Sequence, residues 1–131
     1  MDTQCSFSLI KPDAFKKRIW FLVIKAYQEK GIKITKARFI RPERQVMENL
    51  YAEHAEKPFY SNLINFMTEG RLALALEVRG KEAVEVVRDI NFEIRARYAS
   101  EDNPPANVVH GSDSHESAVR ELKIFFGIPE S

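Results

Sequence analysis

The run Asn107-Val108-Val109-His110-Gly111-Ser112-Asp113 holds the densest chemistry in the chain. A β-branched pair delivers an imidazole to a turn of small and polar residues. Imidazole is neutral near pH 7 and nucleophilic through its unprotonated nitrogen. Its other nitrogen needs an acceptor that fixes the tautomer. A histidine held in this way can be a nucleophile. Lys11 follows the run Ser6–Ile10, and a lysine just past a strand end is well placed to reach a phosphate. His54, His110 and His115 are scattered along the chain, so a tight protein-ligated metal is not expected. There is no P-loop, no G-x-G-x-x-G turn and no C-x-x-C pair.

The 131 residues are expected to form one domain, long enough to bury a core without staples. Hydrophobic content of 44% and charged content of 30% are ordinary for a soluble globular protein. A net charge of +1 gives no global field for nucleic acid or an anionic membrane. Cys5 is the single cysteine, which rules out an intrachain disulfide and fits a reducing compartment. No apolar run approaches the roughly 20 residues that a membrane span needs. Asp2 comes early and no basic region precedes an apolar block, so no secretory signal is expected and a cytoplasmic location is the default.

The elements that must position His110 follow from periodicity. Ser6–Ile10 predicts a short strand, stopped at Lys11-Pro12-Asp13. Arg18–Lys30 repeats Trp20, Val23, Ile24 and Tyr27 at helical spacing, and Gly31 is a natural stop. Ile32–Ile40 alternates with a phase slip near Thr35–Ala37, predicting a strand with a bulge. A helical hairpin follows, from Pro42 to Met67 with a break at Lys57-Pro58, and its tip could form the lip of a cleft. Leu72–Val78 predicts a central strand and Gly80–Ile90 a short helix. Asn91–Pro105 is polar and reads as irregular. Asn107–Val109 predicts the last strand. Ser114 or Asp113 then caps a helix that buries Ala118, Leu122, Phe125 and Phe126. The order is an α/β (α+β sandwich) plan of the ferredoxin-like βαββαβ type: a four-stranded antiparallel sheet with helices on one face and an inserted helical hairpin.

The run from Asn107 to Ser114, followed by Glu116-Ser117-Ala118 and Glu121, resembles the active-site signature of nucleoside diphosphate kinases. Lys11-Pro12-Asp13, Tyr51-Ala52-Glu53-His54, Pro58-Phe59-Tyr60 and Phe66-Met67 are similar to that family as well, in the family's order and over nearly the whole chain. The resemblance implies a single kinase-like domain over residues 1–131. It implies that His110 takes the γ-phosphate of a nucleoside triphosphate, typically ATP, onto its Nδ1 nitrogen. A nucleoside diphosphate then receives it, in a ping-pong cycle. Glu121 would hold the imidazole, with Tyr51 and Ser112 beside it. Lys11, Arg88 and Arg95 would bind phosphates, Asn107 the ribose hydroxyl, and Phe59 and Leu63 the base. Transfer of a phosphoryl group is mostly positioning and charge stabilisation, which suits such a shell. Magnesium would arrive with the nucleotide phosphates; Asp113 could touch its water shell or serve as a helix cap.

The departures from the family pattern bear on assembly and turnover. Only Asn91-Phe92-Glu93 stands between Asp89-Ile90 and Ile94-Arg95, where the family has a longer loop, so that loop is expected to be cut short. A family threonine that holds a phosphate has no counterpart. The same loop builds trimer contacts in hexameric members, so the expected homo-oligomer is at least a dimer, through the first helix and second strand, with hexamer or tetramer left open. The alternative reading is a catalytically weak nucleotide-binding regulatory module. A ferredoxin-like RNA-binding domain is disfavoured, because the aromatic strand motif and basic stripe are missing.

Overall fold

The computed structural model describes residues 3–127. Their order is β1 (Thr3–Ile10), α1 (Pro12–Lys16), α2 (Trp20–Glu29), β2 (Lys33–Ile40), α3 (Arg44–Leu50), α4 (Tyr60–Met67), β3 (Ala73–Lys81), α5 (Ala83–Tyr98), β4 (Val109–Gly111) and α6 (His115–Phe126). The strands form one sheet in the order β2-β3-β1-β4, antiparallel throughout. This is the four-stranded antiparallel α/β plan expected from the sequence. The bulge falls where the phase slips, between Ile34 and Lys36.

The side chains of the central strands alternate between two apolar layers. Ile10, Leu74, Leu76 and Val78 meet Val23 and Tyr27 of α2 and Val87, Ile90 and Ile94 of α5. Phe7, Leu9, Ala73 and Ala75 meet Met47, Leu50, Ile64, Met67, Leu122 and Phe125. The crossover helices α2 and α5 thus share one face, as the plan requires. The expectation of helices on one face alone is too narrow. A sheet apolar on both sides must be covered on both, and α3, α4 and α6 cover the second.

Three local expectations differ from the structure. The stop at Lys11-Pro12-Asp13 is also a start: Pro12, lacking a donor that a first turn would leave unpaired, opens the short helix α1. The helix expected to end at Ile90 runs on to Tyr98, so most of the segment read as irregular is helical. Its buried positions Val87, Ile90, Asn91 and Ile94 form one stripe, while Glu85, Arg88, Glu93, Arg97 and the 75% exposed Phe92 face water. The expected short loop between Ile90 and Arg95 is therefore a turn and a half of α5. The last strand begins at Val109, because Asn107 and Val108 form a turn. Among the described residues no helix is long and apolar enough to cross a membrane.

Candidate active site

β4 has three residues and, among the described residues, pairs only with β1, Leu9 opposite His110. What aims its histidine is the turn before it. The Val109 amide donates to the Asn107 carbonyl at 2.8 Å, and Val108 between them has φ +65°. A β-branched residue rarely adopts this left-handed conformation, which costs on the order of 1–3 kcal/mol. Three anchors hold it there. The Val108 side chain is fully buried. The Val108 amide donates to Asp13 Oδ2 at 2.9 Å. The Lys11 amide donates to the Val108 carbonyl at 2.9 Å. The stretch Lys11-Pro12-Asp13 thus braces the turn that delivers the histidine. Burial raises the Asp13 carboxyl above its ordinary value, against the pull of Lys11 and of the Val108 amide.

His110 is 7% exposed, between the rings of Phe7 and Tyr51, with the Tyr51 ring edge-on at 5.3 Å. Its Nε2 lies 3.0 Å from Glu121 Oε1. Ser112 Oγ donates to the same oxygen at 2.7 Å. With Nε2–H given to a carboxylate, the lone pair of neutral imidazole sits on Nδ1. Glu121 is in reach because α6 folds back beside β1. That helix starts at Ser114, whose hydroxyl accepts from the Ser117 amide at 3.0 Å, so Ser114 rather than Asp113 is the cap. Arg120 Nη2 lies 3.5 Å from Glu121 Oε2 and 2.8 Å from Glu53 Oε1, tying the second carboxylate oxygen to the α3 side of the cleft.

A cleft of about 400 Å³ opens over the histidine, lined by Lys11, Tyr51, His54, Phe59, Leu63, Arg95, Asn107, His110 and Asp113, with Pro104 and Pro105. Lys11 Nζ donates to Asn107 Oδ1 at 2.7 Å and to the Pro105 carbonyl at 3.2 Å. Burial, with Arg95 nearby, lowers the Lys11 amine to about 7, and Asp13 opposes the shift. Burial raises the Tyr51 phenol, whose oxygen has no partner among the described residues, so it stays a neutral donor. Arg95 Nε donates to the Val109 carbonyl at 2.8 Å, and burial lowers that guanidinium as well. Phe59, 42% exposed, stands at the open end of the cleft beside the buried Leu63.

Of the residues singled out by sequence, Arg88 stands apart. It lines an adjoining hollow of about 250 Å³ with Asp89, Asn91 and Phe92, joined to the main cleft through Arg95, Gly111 and Asp113. Its Nε is 4.0 Å from Asp113 Oδ1, and both side chains are more than half exposed. Sequence reasoning did not single out His54, although it belongs to the quoted Tyr51–His54 run; its ring lies 5.6 Å from that of Phe59. Pro104 and Pro105 gave no chemical signal, since they contribute shape and one carbonyl. Among the described residues no three His, Cys, Asp or Glu side chains converge as a metal site. One exposed carboxylate on the rim, Asp113, suits contact with a hydrated cation better than direct capture of a bare one.

The geometry has counterparts in known proteins. A family model described as "Nucleoside diphosphate kinase" matches residues 4–130. A nucleoside diphosphate kinase of Methanocaldococcus jannaschii is 38% identical over 92% of this chain and 91% of its own length. One from Archaeoglobus fulgidus is 37% identical over 95% and 87%. Among solved structures, a nucleoside diphosphate kinase of Encephalitozoon cuniculi superposes with a TM-score of 0.84 at 32% identity, covering 98% of this chain and 94% of that one. The Aquifex aeolicus enzyme gives a TM-score of 0.85 at 27% identity, covering 95% of both chains.

Proposed function

This chain belongs to the nucleoside diphosphate kinase family, a family of phosphotransferases, and on that premise we propose that His110 is the phosphoryl carrier of a ping-pong cycle. The observation that carries the proposal is the Nε2–Glu121 contact, which leaves Nδ1 as the nucleophilic nitrogen. In the first half-reaction the Nδ1 lone pair attacks the γ-phosphorus of a nucleoside triphosphate such as ATP. The bond to the bridging oxygen breaks, and the nucleoside diphosphate leaves with that electron pair. The ring becomes cationic and keeps its Nε2 proton, which the Glu121 carboxylate stabilises. In the second half-reaction a β-phosphate oxygen of another diphosphate attacks the same phosphorus. The N–P bond breaks and its pair returns to Nδ1.

In this reading Lys11 and Arg95, which line the cleft over His110, take the negative charge that moves between oxygens, and Arg88 extends that shell from the adjoining hollow. The neutral Tyr51 phenol has a proton to give. Asn107 suits the ribose, because Lys11 orients the amide through its Oδ1 and the Nδ2 group can donate to a hydroxyl. Phe59 and Leu63 suit the base, since stacking accepts any of them. Magnesium would neutralise phosphate charge, with Asp113 at its water shell. The whole chain acts as one domain in this reading. We further propose a homo-oligomer that is at least a dimer and acts in the cytoplasm. Trp20, Phe21 and Phe39 leave an exposed aromatic patch beside β2, whose outer edge pairs with no strand among the described residues.

Incubation with γ-labelled ATP and magnesium tests the carrier. The expected product is an acid-labile, base-stable label that is absent from His110→Ala. Normal transfer by His110→Ala would sink the mechanism. Turnover near background with ADP still bound would assign the regulatory reading instead.

A further inference from the structure

We infer that Asn91 is a positioning residue for the nucleophile, its amide wedged between Tyr27 and Gly111 so that it fixes where β4 carries His110. The inference rests on the reading of His110 as phosphoryl carrier. β4 is an edge strand of three residues, so hydrogen bonds to β1 locate it only within the plane of the sheet. Its height above that plane must be set by what packs on it, and over Gly111 that is α5. A Cβ built on Gly111 would lie 2.4 Å from Asn91 Nδ2 and 3.5 Å from Val87 Cγ1. No side chain at position 111 can coexist with the amide where it stands. Gly111 is glycine for reasons of space, and Asn91 occupies that space.

The amide is itself held from behind. Tyr27 Oη donates to Asn91 Oδ1 at 2.6 Å. The phenol has one proton, so the 2.8 Å contact between Ser8 and Tyr27 is donated by Ser8 Oγ. Ser8 is in turn the cross-strand partner of Gly111. The path therefore closes on itself: β1 to α2 through Ser8 and Tyr27, α2 to α5 through Asn91, and α5 back to β4 at Gly111. Asn91 is 2% exposed in a stripe otherwise made of Ala, Val and Ile, and its Nδ2 meets no acceptor among the described residues. A side chain kept for stability alone would be apolar here. One kept to hold a spacing needs the rigid, planar, anchored shape that this amide has.

Single-turnover labelling of His110 from γ-labelled ATP and magnesium tests this on the full chain, with ADP affinity and thermal midpoint measured beside it. Asn91→Ala is expected to slow phosphorylation by roughly tenfold to a hundredfold, the range of a nucleophile misplaced by about an ångström, with ADP affinity unchanged. Gly111→Ala is expected to be slow too. The double variant should be faster than Gly111→Ala alone, because removing the amide makes room for the methyl. Tyr27→Phe keeps the ring and loses the hydroxyl, so it should slow labelling by a smaller factor even if Asn91→Ala does not fold. Wild-type rates in Asn91→Ala or in Tyr27→Phe would overturn the inference. So would slowdowns that simply multiply in the double variant, or an ADP affinity that falls in step with the rate. A wild-type chain that takes no label, or a His110→Ala chain that does, would overturn the carrier reading instead.

Discussion

Nucleotide binding should draw a proton onto Lys11. In the free protein the amine is held at about 7 rather than 10.5, by burial first and by Arg95 second. A triphosphate offsets both causes, since its anionic oxygens favour the charged amine and counter the field of the guanidinium. If the bound amine returns near its ordinary value, proton uptake per nucleotide should climb from about 0.1 at pH 6 to about 0.9 at pH 8. Above pH 7 the affinity should then fall by up to about tenfold per pH unit. Isothermal titration with ADP and magnesium, in two buffers of different ionisation heat, reads the uptake directly. Nucleotide phosphate itself titrates near pH 6, so Lys11→Arg is the control: it keeps the charge, cannot lose its proton, and retains only the nucleotide's share. An uptake that stays flat in the wild type, or that Lys11→Arg reproduces, would refute the reasoning. The same shift sets a stability slope. The folded amine binds its proton less tightly than the unfolded one, so between about pH 7 and 10.5 the unfolded state holds more protons and folding gains with rising pH. The full span is worth about 5 kcal/mol, and none of it is present below pH 7.

Other perturbations test other parts of the site. Glu121→Gln leaves an acceptor for the His110 Nε2 proton but removes the charge that faces the phosphorylated ring; kcat should drop roughly tenfold to a hundredfold with KM little changed. Phe59→Ala removes a stacking face worth about 1–3 kcal/mol, so steady-state kinetics should show KM raised at least fivefold for purine and pyrimidine diphosphates alike, with kcat retained. At Val108, glycine relieves the left-handed backbone while alanine keeps its strain. Both lose the buried side chain, yet denaturant melts should find Val108→Gly no less stable than Val108→Ala, against the usual order of the two residues.

Most of the architecture was legible because apolar periodicity reports burial. The alternation of Phe7 and Leu9 with Ser6 and Ser8 gave β1, and the phase slip near Thr35 gave the bulge. The missing part was the second half of α5. There the stripe continues through a polar residue, Asn91, and the outward positions mix Phe92 and Ala96 with charged residues, so composition suggested a loop. The spacing of Val87, Ile90, Asn91, Ile94 and Tyr98 was the available signal. Histidine, lysine and aromatic members of the cleft could be picked out because motif and chemistry coincide in them. What escaped was support at a distance. The brace from Asp13 to Val108 and the wedge of Asn91 on Gly111 join residues 95 and 20 positions apart, and no local pattern links them.

The run-on of α5 also bears on what happens between the two halves of a turnover. A helix fastened to the sheet by Val87, Ile90 and Ile94 is a fixed wall, not a flap. The hollow beside it stays open to solvent next to Gly111. A phosphorylated His110 would then wait in the presence of water for its acceptor. Its lifetime becomes a race between the next nucleotide and hydrolysis. With diphosphate plentiful, the nucleotide wins and the group is traded. With diphosphate scarce, the same protein would leak as a slow triphosphatase, and the supply of acceptor would decide how much of the donor's energy is conserved.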